Sequence, residues 1–222
     1  MNTKTTSPAA PANGRRSTLP KRRPALLLAG TVVVIGALFA MYVASNKPQT
    51  AGPKGSSFHF AVGKPGPGSK APAVVLASTS GGTFDLHASA GKTVLLYFQE
   101  GVGCQPCWNQ MRDIEQNWKQ FTAAGIDTFV TITSDSLELV SQKIKQDGIA
   151  GPVLADTDLA VSKTYDANHY GMMGDSTDGH SFVLVGPDGT IKWRADYGGS
   201  PDYTMYVPVA ALLADLAAGT RS

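Results

Sequence analysis

Cysteine is nearly absent from this chain of 222 residues: there are two, Cys104 and Cys107, with two residues between them. Acidic residues are missing from the first 84 positions, and the four histidines, His59, His87, His169 and His180, stand singly. Each scarcity counts against a class of function. One cysteine pair without a close histidine pair argues against structural zinc, which wants four ligands. A bridge across a four-residue loop argues against a structural staple, because the gain from closing a loop shrinks with its length. The acid-free front carries ten Lys and Arg, whereas from Asp85 onward nine basic side chains face seventeen acidic ones, a net charge of −8. A body of that sign argues against nucleic acid as a partner, and the basic front points to targeting or to a membrane.

The front divides by composition. Residues 1–24 are rich in Ser, Thr, Pro and Ala, with Lys4, Arg15, Arg16, Lys21, Arg22 and Arg23, and read as a disordered basic arm. Residues 25–45 (ALLLAGTVVVIGALFAMYVAS) run 21 residues without a charge. At about 1.5 Å per residue, that is enough to cross a hydrocarbon core of about 30 Å. With the basic cluster before it and only Lys47 and Lys54 soon after, the N-terminus is expected in the cytoplasm and the body outside the cell membrane. The alternative is a cleaved signal peptide, with a shorter apolar region and a small-x-small cleavage site. Both deliver the body to the same side. Residues 46–65 are expected to be a Gly/Pro-rich spacer, and residues 66–219 the folded domain.

In an oxidising compartment the third possibility for the cysteines, a dithiol that exchanges electrons, gains from its neighbours. Residues 92–98 (KTVLLYF) form a β-prone run of the kind that makes a buried parallel strand. After the cysteines, Trp108, Met111, Ile114, Trp118 and Phe121 recur at helical spacing, which predicts one helix over 104–121. The pair is therefore expected at a strand-to-helix junction, where Pro106 is tolerated in the first turn. Unpaired N–H groups and the positive end of the helix dipole favour a sulfur anion there. Free thiols titrate near 8.5, and in such settings at roughly 3.5–7.5. Cys104, outermost, is expected to be the nucleophile, and Cys107, one turn further in, the resolving thiol, with Gln105 and Pro106 between them in support.

Further strands are expected at 126–133, near 153–154, at 181–185 and at 190–195, the last two joined by a Pro187-Asp188-Gly189 turn. Helices are expected from Asp135 or Ser136 to about Gln146, over 159–165, and over 207–218. This order implies an α/β domain, a central mixed β-sheet flanked by helices.

With these residues in place, 66–218 resembles the thioredoxin-like superfamily in its redoxin branch. That branch includes membrane-tethered thiol–disulfide oxidoreductases of the ResA/TlpA type and the peroxiredoxins. The resemblance rests on Gly68-Ser69-Lys70-Ala71-Pro72 ahead of a β-hairpin, Gly91-Lys92 before the first core strand, the CQPC motif, and SFVLVGPDGTIKWR. It implies a thioredoxin-like fold with no cofactor beyond the Cys104–Cys107 disulfide. Its implied partners are protein disulfides or dithiols as substrates and a membrane electron donor of thiol type.

The chain departs from that branch in three places. No proline precedes Ser181, where the superfamily usually has a cis-proline, so a trans peptide is expected at Gly179-His180. Gly103 replaces the tryptophan that thioredoxins place before the first cysteine, so the 101–103 loop is expected to be pliable. Gly101 stands where peroxiredoxins have Thr or Ser, and Gly179 near the position of their activating arginine, which weakens a peroxidase reading. His180 is expected near the dithiol, as a proton donor or acceptor titrating near working pH, as a hydrogen-bonded loop residue, or as a third Cu(I) ligand beside the two cysteines. Glu100 is a candidate proton relay or a solvated loop carboxylate. Met172 and Met173 read as a flexible loop, as the lining of a substrate groove or as metal-binding residues.

Overall fold

The computed structural model describes residues 55–220, and the expected arm and membrane span at 1–24 and 25–45 lie outside them. Seven strands form one sheet in the order β2-β1-β5-β4-β3-β6-β7. They are β1 Val75–Ser78, β2 Thr83–Asp85, β3 Val94–Phe98, β4 Thr128–Thr133, β5 Val153–Ala155, β6 Ser181–Val185 and β7 Ile191–Asp196. The β3–β4 and β4–β5 pairs are parallel and the others antiparallel, so the sheet is mixed. Five helices pack on it: α1 Gln105–Gln116, α2 Trp118–Ala123, α3 Leu137–Asp147, α4 Ala160–Thr164 and α5 Val209–Gly219. None of these is long and apolar enough to cross a membrane.

Alternation along the buried strands makes two cores. Leu95, Tyr97, Phe129, Phe182 and Leu184 face one side and are covered by Trp108, Met111 and Ile114 of α1, Phe121 of α2, Val140 of α3, and Leu212 and Leu216 of α5. Val94, Leu96, Phe98, Val130, Ile132, Val183 and Val185 face the other, under Val74, Leu86, Tyr165 and Ala167. The cysteines belong to the first core.

Two expectations need correction. The single helix over 104–121 is two helices, broken at Asn117, whose side-chain amide donates to Asp113 O at 2.8 Å. The backbone leaves the helical region there, with φ −106° and ψ 18°, and the amide adds a second donor to the Asp113 carbonyl that already accepts Asn117 N at 3.1 Å. The spacer does not extend to residue 65. Within it, Ala61 and Asp196 exchange two backbone bonds, at 3.0 and 2.9 Å. Gly63 N donates to Asp196 Oδ2 at 2.7 Å, Ser56 Oγ donates to Asp215 Oδ2 at 2.7 Å, and Phe58 packs on the first core. Gly and Pro mark an irregular backbone here, and this one is bonded to β7 and α5.

Candidate active site

β3 runs directly into the site. Gln99 continues it, Glu100-Gly101-Val102-Gly103 turn the chain, and Cys104 is the N-cap of α1, with Pro106 in the first turn. The two cysteines form a disulfide. Cys104 Sγ accepts the Cys107 N–H at 3.3 Å, so the N-cap position turns its sulfur toward the unpaired donors of the helix. Cys104 is 6% exposed and Cys107 fully buried. Both cysteines lie in the core, with a small exposure left at Cys104 and none at Cys107.

The loop expected to be pliable is tied down. The Trp108 indole donates to Gly101 O at 2.9 Å, as does Cys104 N at 3.0 Å. Gly101 N donates to the Gln99 side chain at 3.2 Å, and Val102 N to Asp135 Oδ2 at 2.6 Å. Gly101 has φ +91°, and a Cβ there would lie 2.0 Å from Asp135 Oδ2. The space a Thr or Ser side chain would occupy is already filled by a carboxylate. At Gly179 a Cβ would lie 1.8 Å from Tyr170 O, so backbone fills the place where an arginine side chain would begin.

His180 lies opposite Gln99, one step past the Phe98–Ser181 pair, and is fully buried. Its peptide is trans as expected, the cis bonds among the described residues being Lys64-Pro65 and Ser200-Pro201. The Tyr97 hydroxyl donates to Cys107 O at 3.3 Å and lies 3.0 Å from His180 Nδ1. Burial pushes the Tyr97 phenol well above its usual range, with Glu100 adding to the shift, so it remains a hydroxyl. The hydroxyl thus bridges the Cys107 carbonyl and the imidazole, and His180 Nε2 has no hydrogen-bond partner among the described residues. Burial holds the His180 pKa at about 3. The expectation of a histidine titrating near working pH is therefore corrected: this one stays neutral.

Glu100 accepts the Met172 N–H and so anchors the following loop, with Met172 and Met173 exposed beside it. Among the described residues no three His, Cys, Asp or Glu groups are arranged to hold a metal ion, and the Cys104–Cys107–His180 set for Cu(I) is not assembled. Sequence reasoning missed Tyr97, Gln99 and Asp135. Tyr97 and Gln99 read only as part of a strand and its exit, and Asp135 only as a helix cap, a place taken by Ser136.

The AhpC/TSA family matches residues 67–194. A putative peroxiredoxin of Mycobacterium tuberculosis is 32% identical over 130 residues, 56% of this chain and 81% of that protein. The thiol-disulfide oxidoreductase ResA of Bacillus subtilis is 33% identical over 101 residues, 46% of this chain and 56% of ResA. Among solved structures, peroxidoxin BcpB of M. tuberculosis superposes with a TM-score of 0.55 at 16% identity, covering 73% of this chain and 96% of that one. AhpC of Mycobacterium bovis gives 0.56 at 18%, covering 68% and 95%. At those identities the superpositions speak for the fold. The chain belongs to the AhpC/TSA family, thiol-based redox proteins on a thioredoxin-like fold.

Proposed function

We propose that this protein is a thiol–disulfide oxidoreductase, anchored in the cell membrane by residues 25–45 and working outside the cytoplasm on protein disulfides. The observation that carries the reading is the disulfide-bonded pair at the start of α1, with Cys104 as the N-cap and outer of the two and Cys107 fully buried. Reduced Cys104, as a thiolate, attacks one sulfur of a substrate disulfide. A Cys104–substrate bond forms, and the other substrate sulfur leaves and takes a proton. Cys107, deprotonated, then attacks Cys104 Sγ, restores the Cys104–Cys107 bond and expels the second substrate thiol. Two electrons and two protons have passed to the substrate, and a membrane donor of thiol type returns them. The neutral Tyr97–His180 pair supports the Cys107 end through its carbonyl, while Gln105 and Pro106 shape the first turn of α1. Glu100 fixes the loop beside Cys104.

Two features favour exchange over peroxide reduction: the carboxylate of Asp135 in the space beside Gly101, and the lack of side-chain room at Gly179. The test is a titration of the purified protein against a glutathione ladder, read by thiol alkylation. Interconversion of the two sulfurs with a midpoint near the thioredoxin value of about −270 mV is the expected result. Rapid consumption of hydrogen peroxide with a sulfenic acid on Cys104, or sulfurs that do not interconvert, would overturn the reading.

A further inference from the structure

Gln105, the residue between Cys104 and Pro106, is one member of a closed ring of five side chains joining α1 to α3. Its Nε2 donates to Asn109 Oδ1 at 3.1 Å, and Arg112 Nη1 donates to the same oxygen at 2.9 Å. Arg112 Nη2 then meets Asp147 Oδ2 at 3.2 Å, and Lys143 Nζ meets that same Asp147 oxygen at 3.0 Å. Lys143 Nζ closes the ring by donating to Gln105 Oε1 at 3.0 Å, and it lies 5.8 Å from the centroid of Trp108. Joining two helices takes one ion pair. This ring has two cations on one carboxylate, so it carries a net charge of +1, and its lysine is held at the residue following Cys104. The Lys143 side chain is only 16% exposed and that of Asp147 15%, so water screens the charge less than it would on an open surface.

We infer that Lys143 is a positioning residue that favours the thiolate of Cys104, acting through Gln105. The inference rests on the exchange function proposed above and adds to it a residue outside the cysteine motif. A cation here works with the helix dipole, since both stabilise the reduced, anionic form of the pair. The other charges bonded into this end of the site are Arg112 on α1, Asp147 on α3, Asp135 in the turn before α3, and Glu100 in the turn before α1. The anions Asp135 and Glu100 oppose the cation, and His180 contributes no charge.

The experiment measures the pH dependence of iodoacetamide alkylation at Cys104 in the full-length protein, with Cys107→Ser so that a single thiol reports. Lys143→Met is expected to raise the Cys104 pKa by about one unit, near the lower end of the usual effect of a nearby cation. That is about tenfold slower alkylation at pH values below both pKa values. In the two-cysteine protein the same substitution moves the midpoint about 30 mV more negative at a pH where Cys104 is fully ionised, a tenfold change for a two-electron couple. Lys143→Arg is expected to restore the parent values. Asp147→Asn removes the ring's anion and is expected to lower the pKa, a change of opposite sign that loosening the helix contact would not produce. An acidic parent thiol whose pKa is unmoved by Lys143→Met, or shifts of the same sign in Lys143→Met and Asp147→Asn, would overturn this inference alone. A parent thiol titrating near 8.5 would overturn the exchange reading, and this inference with it.

Discussion

Replacing Gly101 by alanine is the sharpest test of how the site is built. The backbone there has φ +91°, a region that costs a residue with a side chain about 1–3 kcal/mol. The new Cβ would lie 2.0 Å from Asp135 Oδ2 and 2.7 Å from Thr133 Oγ1. Asp135 must therefore turn away and give up its 2.6 Å bond from Val102 N, a charged hydrogen bond contributing about 1.5–3 kcal/mol. The contributions overlap, so the expected loss is about 3–5 kcal/mol. With a urea slope of about 2 kcal/mol/M, the midpoint falls by about 2 M. Because Gly101 O also accepts from Trp108 and Cys104 N, the start of α1 shifts with it, and alkylation of reduced Cys104 changes in rate. Equilibrium urea unfolding of the reduced proteins is the assay. A midpoint unchanged to within about 0.3 M would refute the reasoning, since it would mean that Asp135 does not occupy that space. Gly101→Thr, which restores the hydroxyl of the peroxiredoxin signature, is expected to lose stability at least as much and to gain no peroxidase rate.

Two further outcomes follow from buried charge. His180 holds a pKa of about 3 in the fold against an ordinary 6.5, so between those values the unfolded chain binds a proton that the folded one refuses. Its contribution is complete above about pH 6.5 and declines as pH falls toward 3, by up to about 1.4 kcal/mol per pH unit. Urea midpoints from pH 7 to 5 should show this slope in the parent and a flatter one in His180→Phe, and parallel curves would disprove it. Arg194 and Asp196 form a fully buried pair at 2.8 Å. Arg194→Met is expected to destabilise by about 3–5 kcal/mol by leaving a lone buried carboxylate. The double variant with Asp196→Leu should lose less than the two single losses added together, as read from thermal or urea unfolding.

The parts that were legible in the sequence are those whose signal is local. A run such as VLLYF is a buried strand wherever it falls, and Ser136 and Gly148 bracket α3 as a cap and a left-handed stop. The dithiol was legible for the same reason, since strand, turn and helix are consecutive around it. What escaped depends on chain segments distant in sequence. Asp135 meets Gly101 across 34 positions, and Lys143 meets Gln105 across 38. His180 was placed correctly beside the site by strand order, but its titration was misjudged because desolvation depends on what packs over the ring. Asn117 broke a helix whose apolar spacing gave no warning, because the break is a change of backbone angles at one polar residue that the apolar positions do not report.

The segment before β1 has a consequence for assembly. β7 is the last strand of the sheet, and an uncovered border strand offers free N–H and C=O groups to any neighbouring chain. Here Ala61 takes the groups of Asp196, Gly68 and Ser69 take those of Ile191, and Ala71 takes Gly189 O. The two ends of that margin are covered from within, the Asp196 end by the stretch whose glycines and prolines suggested idle tether. A protein trimmed back to residue 66 would unseal the Asp196 end of that border and leave the Asp215 carboxylate without Ser56, inviting two copies to pair strand against strand.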